Sequence, residues 1–391
     1  GPQRPAQPQG RGGSASGPVT APPEPPQARE QERAQRQAPE TRSRNGPLKR
    51  WRPTKLKGDP QAIDETLRVL VQHLTPTASE VERKHNCFEA VAEVLRAKWP
   101  ECRVHLFGSC ANTLSICNNN DLDISIEMPE VGDDYAEKAK AVEAMGELLQ
   151  DAGMQDVMTL SHARVPVVKF VHPTTQTKCD ITVNNILACI NTKLLRDYAA
   201  LDPRLRQLVF IIKHWAKRRK VNEAYTGTLS SYAYVLMCIH LLQQRDPPVL
   251  PCLQSVAPPT FKRTVGSCCC DYFDNVSALS GFGSGNTETV SELLMAFFDY
   301  WAWGHDYVNS VISIRTGGFL TKADKEWTKR VRNERHLVCI EDPFDVTHDL
   351  GRVVDRASSS VLREEFKRAA EILSQSPNPL PELFEPFKQG G

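Results

Sequence analysis

The chain has 391 residues, of which 40% are hydrophobic and 24% charged, with a formal net charge of +1. That length supports two or three domains around a substantial core, and no window approaches the ~18 uninterrupted apolar residues of a membrane span. The twelve cysteines form no CxxC pair and no zinc-finger spacing, and no secretory leader is evident, so they are read as reduced thiols of an intracellular protein.

The near-zero total conceals an asymmetry. Residues 1–57 carry twelve Lys/Arg against four Asp/Glu, which leaves the remainder net acidic. This segment is rich in Pro, Gln, Gly and Ser and is expected to be disordered, because it cannot bury enough apolar surface to offset the entropy of ordering. Its end, KRWRPTKLK, sets Lys49, Arg50 and Arg52 around Trp51. That composition suits RNA, with charge for phosphates and an indole for stacking, and equally suits a solvated linker or a protein contact. Two leading helices are expected over 58–101. Ile63, Leu67, Leu70, Val71 and Leu74 recur at helical spacing; Ser79 and Glu82 form a capping-box pattern; Val81, Phe88, Val91, Val94 and Leu95 continue a second amphipathic helix. RVHLF follows as a short buried strand ending at Gly108.

The segment DLDISIEM poses a chemical question. Alternate strand residues share a face, so Asp121, Asp123, Ser125 and Glu127 fall on one side and Leu122, Ile124, Ile126 and Met128 on the other. Two carboxylates so close repel one another and raise each other's pKa unless a cation neutralises them. A hard divalent ion such as Mg²⁺ or Mn²⁺ fills that need. Further on, Val167–His172 and Cys179–Val183 read as a hairpin joined by a polar turn. There Asp180 stands on a polar face with Thr182 and Asn184, and adjacent strands would bring it beside the other two.

Gly-Ser after a strand, DxD a dozen residues on and a third Asp in a later strand resemble the DNA polymerase beta superfamily of nucleotidyltransferases. GSCAN, DLDIS, CDITVNN, TGTLSSYAYVLM, RDPPVLPCLQ and CIEDPFDVTHDLGR together, over about Val104 to Phe387, resemble the noncanonical poly(A) polymerases. Within that family they are most similar to cytoplasmic terminal uridylyltransferases. The resemblance implies an α+β, two-lobed protein: a catalytic domain with a small mixed sheet over 102–194, a mostly helical domain over 195–376 joined by the leading helices, and a tail over 377–391. The active site would be the cleft between the lobes.

It also implies chemistry. Asp121, Asp123 and Asp180 would hold two metal ions, Mg²⁺ or Mn²⁺, for an in-line displacement. Gly108 and Ser109 would cradle phosphates, and Asn191 and Thr192 would recognise the ribose. Lys213 and Lys217, four apart on one helix, would hold the outer phosphates. Ser231 would contact the triphosphate at a helix start and Tyr232 would stack on the base. Asp342, Asp345 and His348 would read the base, the His excluding adenine, with Arg352 as support. The expected activity is addition of UMP from UTP to the 3′ end of single-stranded RNA by a monomer of the cytoplasm, or alternatively of the nucleus, marking RNA for decay. A poly(A) polymerase using ATP and an inactive RNA-binding relative are the alternatives. Elsewhere, GFGSGN is expected to be a flexible loop, LLMAFFDYWAW a buried helix, and Phe384 and Phe387 anchors of the tail.

Overall fold

Two hydrophobic cores organise the chain, one beneath a sheet and one inside a helical body. The computed structural model describes residues 54–132, 134–329 and 335–388. Helices α1 (Pro60–Leu74) and α2 (Ala78–Lys98) lead into β1 (Arg103–Phe107), the single turn α3 (Gly108–Ala111) and β2 (Asp121–Glu127). After α4 (Tyr135–Asp151) come β3 (Gln155–Leu160), β4 (Val167–Val171) and β5 (Lys178–Val183). The helical body comprises α5 (Ile186–Leu201), α6 (Pro203–Arg218), α7 (Ser231–Gln243), α8 (Val290–Asp299), α9 (Arg356–Gln375) and the short α10 (Leu380–Leu383). It also carries two small hairpins, β6 (Thr264–Val265) with β7 (Cys268–Cys269) and β8 (Ser310–Ser313) with β9 (Gly318–Thr321).

The five-stranded sheet has the order β1-β2-β5-β4-β3 and is mixed, because β2 and β5 run parallel while the other pairs are antiparallel. The alternation in β2 is as expected: Leu122, Ile124 and Ile126 are buried beside Cys179 and Ile181 of β5. They pack against Cys87, Val91 and Leu95 of α2 and Val142, Met145 and Leu149 of α4. The expected hairpin forms as β4 and β5, whereas β3 and α4 escape the sequence reading. Asn184 departs from the expected polar face. It leaves the strand at φ +49° and uses its side-chain amide to hold Met128 at the end of β2, while Thr182 is buried.

Local signals explain the helix starts. Asp59 accepts the Gln61 N–H with Pro60 at the first position of α1. The capping box of α2 uses Thr77 and Glu80, two residues before the expected Ser79 and Glu82, because Thr77 takes the extended backbone a cap requires. The two leading helices also part company. α1 buries Ile63, Leu67 and Val71 in the helical core, but α2 belongs to the sheet. A boundary at 194 cuts α5 in the middle, and its Ile190, Leu194, Leu195 and Tyr198 pack into the helical core.

That core centres on Trp215, which lies 4.7 Å from Phe298 and 5.5 Å from Phe366 between ring centroids. The LLMAFFDYWAW stretch is buried as expected, ending in a π-helical turn at Tyr300–Gly304. GFGSGN is an ordered turn rather than a loose loop, because the Arg204 guanidinium donates to the carbonyls of Gly283 and Asn286. The tail docks as expected, Phe384 edge-on to His214 and Phe387 against Arg219. All twelve cysteines are free thiols.

The tie between α6 and α9 is a buried ion pair, Arg219 donating two bonds to Glu365 at 2.8 and 2.7 Å. Arg219→Met should destabilise the protein by about 3 kcal/mol, because it strands a buried carboxylate. The double variant Arg219→Met with Glu365→Leu should regain most of that loss. Denaturant titration of both variants checks this.

Candidate active site

Parallel pairing of β2 with β5 places Asp123 directly opposite Asp180, with Asp121 two residues away on the same strand face. Neighbouring strands lie about 4.8 Å apart, so three carboxylates crowd one patch of sheet. They line a cavity of about 930 Å³. Its other walls come from the α3 turn with Gly108 and Ser109, from Asn191 and Thr192 of α5, from Lys213 of α6, and from Ser231 and Tyr232 of α7. The volume suits a nucleotide-sized ligand.

Charge in this patch is unbalanced. Burial first, then the charges of Asp180 and Asp121, push the Asp123 carboxyl up to about 6, against the opposing pull of Lys169 and Lys84. Lys169, opposite Asp180 across the β4–β5 pair, forms an ion pair with the Asp180 carboxylate. An all-carboxylate donor set with mutual repulsion fits a hard divalent cation.

The approach of the Gly-Ser turn is enforced by geometry. Gly108 has φ +74°, and a Cβ there would overlap the Asp123 carboxylate. Its N–H donates to Thr192 Oγ1 at 2.9 Å, while that hydroxyl donates to the Ala188 carbonyl at 2.8 Å. Thr192 thus holds the turn while lining the cavity, and the expected ribose contact would have to use the remaining acceptor site of its hydroxyl. Its neighbour Asn191 fits that contact better, because its buried Oδ1 has no hydrogen-bond partner within the protein.

The two lysines separate. Lys213 is buried, donates from Nζ to the Leu114 carbonyl at 2.7 Å, and is lowered to about 8 by burial and by the charge of Lys217. Lys217 is exposed and does not line the cavity, so only one of the two expected lysine ligands does. Ser230 caps α7 by accepting the Ala233 N–H, and the Ser231 hydroxyl donates to Asn222 Oδ1. Tyr232 donates to Asp342 Oδ2 at 3.2 Å, which fixes its ring in the cavity wall.

In the segment from Cys339 to Arg352 the acids shape the turn rather than the histidine ring. Asp342 Oδ1 accepts the N–H groups of Phe344 and Asp345, and Asp345 accepts from Thr347. Among the described residues neither carboxylate is hydrogen-bonded to the His348 ring; the backbone joins His348 to both acids, and Asp342 lies close enough to feel the charge of the imidazole. The His348 ring nitrogen Nδ1 lies 3.3 Å from Nη2 of Arg164 in the loop after β3. The backbone N–H of Arg352 donates to the Asp349 carbonyl and closes the turn. Behind it, His336, Cys339 and Asp349 form a buried cluster with ligand atoms within 4.8 Å. His336 Nδ1 bonds Asp349 at 2.8 Å and its ring stacks on Trp327, so the cluster anchors this segment.

Sequence reasoning missed Lys169, Arg164 and Asp156. Lys169 carried a signal, a lone cation in the apolar strand VVKFV. Asp156 sits at φ +52° beside the β3 bulge and reaches the cavity. Lys49, Arg50, Trp51 and Arg52 lie outside the described residues.

The chain matches two family models: the central palm domain of the mitochondrial-like poly(A) RNA polymerases over residues 63–200, and the Cid1 family poly(A) polymerase domain over residues 289–348. It is 32% identical over 310 residues to the poly(A) RNA polymerase cid11 of Schizosaccharomyces pombe, covering 78% of this chain and 62% of that relative. It is 32% identical over 325 residues to the terminal uridylyltransferase cid1 of the same organism, covering 78% of each. Against the human terminal uridylyltransferase 4 the identity is 32% over 331 residues, or 20% of that longer chain. A solved structure of the Cid1 poly(U) polymerase with Mg and 3′-dATP superposes with a TM-score of 0.76 at 30% identity, covering 84% of this chain and all of that one.

Two outcomes follow from the crowding around Asp123. Its folded-state pKa lies above the ordinary carboxylate value, so protonation favours the native state, and the metal-free protein should gain stability as pH falls through about 6. Asp123→Asn should mimic this, stabilising the metal-free protein by about 1–2 kcal/mol in thermal melts at neutral pH. Gly108→Ala should instead cost about 1–2 kcal/mol. By displacing the Asp123 carboxylate it should also lower nucleotide incorporation about 100-fold, read from initial rates.

Proposed function

The chain belongs to the Cid1-like family of template-independent RNA nucleotidyltransferases, the poly(A) polymerases and terminal uridylyltransferases, and within it we propose a terminal uridylyltransferase that adds UMP from UTP to RNA 3′ ends. The observation that carries nucleotidyl transfer is the in-register Asp123–Asp180 pair with Asp121, facing a cavity walled by Ser109, Lys213 and Tyr232. The preference for UTP rests on His348 within IEDPFDVTH, the residue expected to exclude adenine.

Asp121, Asp123 and Asp180 would hold Mg²⁺ or Mn²⁺, which when bound lowers the pKa of the RNA 3′-hydroxyl and neutralises charge on the triphosphate. The protein's own groups do the positioning. Ser109 offers its hydroxyl to the phosphates, Ser231 would do so on releasing Asn222 Oδ1, and the buried Lys213 adds a positive charge beneath them. Asn191 Oδ1 accepts from a ribose hydroxyl, satisfying its unpaired lone pairs. Tyr232, held by Asp342, supplies the stacking face for the base. Asp180 lies nearest the role of proton acceptor for the attacking hydroxyl, its charge steadied by Lys169. The basic residues 49–52 extend the RNA contact, and the protein works as a cytoplasmic monomer whose product is RNA marked for decay. A poly(A) polymerase is the competing reading, because relatives of equal identity carry that name.

Extension of a labelled oligoadenylated RNA with each nucleoside triphosphate separately, with Mg²⁺ and with chelator, decides between them. UTP should be incorporated best, and only with metal. Asp123→Ala should abolish extension while preserving the fold by circular dichroism. His348→Ala should shift the UTP-to-ATP ratio about ten-fold toward ATP. Retained extension in the first variant would remove the role assigned to the Asp123 carboxylate, and an unchanged ratio in the second would remove the base assignment.

A further inference from the structure

Arg164 and His348 are separated by 184 positions, and their contact joins the loop after β3 to the segment that carries His348. A guanidinium has five donors and no acceptor, so the His348 Nδ1 that meets it at 3.3 Å must present a lone pair. The proton of the neutral ring then sits on Nε2. We propose that Arg164 is a positioning residue that fixes the His348 tautomer and, through it, selects uracil.

The chemistry follows from base edges. Uracil, like thymine, offers an O4 acceptor, whereas adenine offers an exocyclic amino donor at N6. With Nδ1 occupied, Nε2–H is the ring's one donor. It complements a carbonyl and opposes an amino group, so the ring discriminates by donor pattern as well as by bulk. A His348 ring free to exchange tautomers would present a lone pair part of the time, and that state accepts the amino edge. A mispaired donor leaves both the ring N–H and the amino group unmatched once the bound base covers them, which is the stronger part of such discrimination.

The loop that carries Arg164 is built to hold it still. Tyr135, at the start of α4, donates its hydroxyl to the carbonyls of Ser161 and Ala163, at 3.0 Å each. On the opposite side, Asp345 and Asp342 hold the His348 backbone.

This inference rests on the uridylyltransferase reading, and the test separates the two. The kcat/KM for UTP and for ATP is measured on one RNA for wild type, Arg164→Met, Arg164→Lys, Tyr135→Phe and His348→Ala. Arg164→Met should lower the UTP-to-ATP ratio about five-fold, and Arg164→Lys, which keeps a donor, should restore part of it. Tyr135→Phe, which keeps the guanidinium but loosens its loop, should fall between. Imidazole nitrogen NMR should show a pyridine-type Nδ1 and a pyrrole-type Nε2 in wild type, and averaged tautomers in Arg164→Met. Equal losses for UTP and ATP in Arg164→Met, with a weaker KM for RNA, would assign Arg164 to the RNA backbone and overturn the proposal. An unchanged ratio in Arg164→Met alongside a shifted ratio in His348→Ala would also overturn it, leaving the base assignment intact. An unchanged ratio in both would remove the His348 base assignment and the proposal with it, whereas a wild-type preference for ATP would remove the uridylyltransferase reading.

Discussion

Register in the parallel β2–β5 pair is the constraint on which the rest of the molecule depends. It sets Asp123 against Asp180 and, one residue out of phase, sets Ile124 against Ile181. A slip of a single residue would turn the carboxylates into the core and the isoleucines into the cleft. What prevents it is apolar packing on the far face, where α2 and α4 close over Leu122, Ile124, Cys179 and Ile181. The hydrophobic core thus holds in place an arrangement of like charges that electrostatics alone would disperse.

Everything nearest the patch compensates for that repulsion or exploits it. Lys169 pairs with Asp180, the charge of Lys84 reaches Asp123, and Gly108 lets the backbone come against the carboxylate where any side chain would collide. Thr192 then ties the Gly108 turn to α5, a helix whose buried residues belong to the helical core. The cleft is therefore defined by side-chain bonds that join its two walls, and the Arg164–His348 contact ties the loop after β3 to the segment around His348. Asn191 Oδ1 on this helix is a buried acceptor without a hydrogen-bond partner among the described residues.

What could be read from the amino acids alone follows the range of the interaction. Alternation in DLDISIEM assigned the faces of β2 because a period of two is local, and the Asp180 hairpin was legible for the same reason. Asparagine, serine and tyrosine at the cavity wall were reachable through family resemblance. The misses are long-range. Lys213 and Lys217 share a helix face, yet only contact with Leu114 buries one and not the other. Thr192 could not be known as a clasp without Gly108, 84 positions away, nor Arg164 as the partner of His348. α2 was misassigned because an amphipathic stripe states that a helix packs without stating on what, and its cap was displaced because Thr77 and Ser79 both satisfy the pattern.

The central claim is that three carboxylates from two neighbouring strands act together as one cation site. Calorimetric titration of the unliganded protein with Mn²⁺, compared with Asp180→Asn, addresses it without reference to any nucleotide. The account predicts saturable binding in the wild type and a loss of about ten-fold or more in affinity when Asp180 is neutralised, with the circular dichroism unchanged. Equal Mn²⁺ affinity in the two proteins would contradict it.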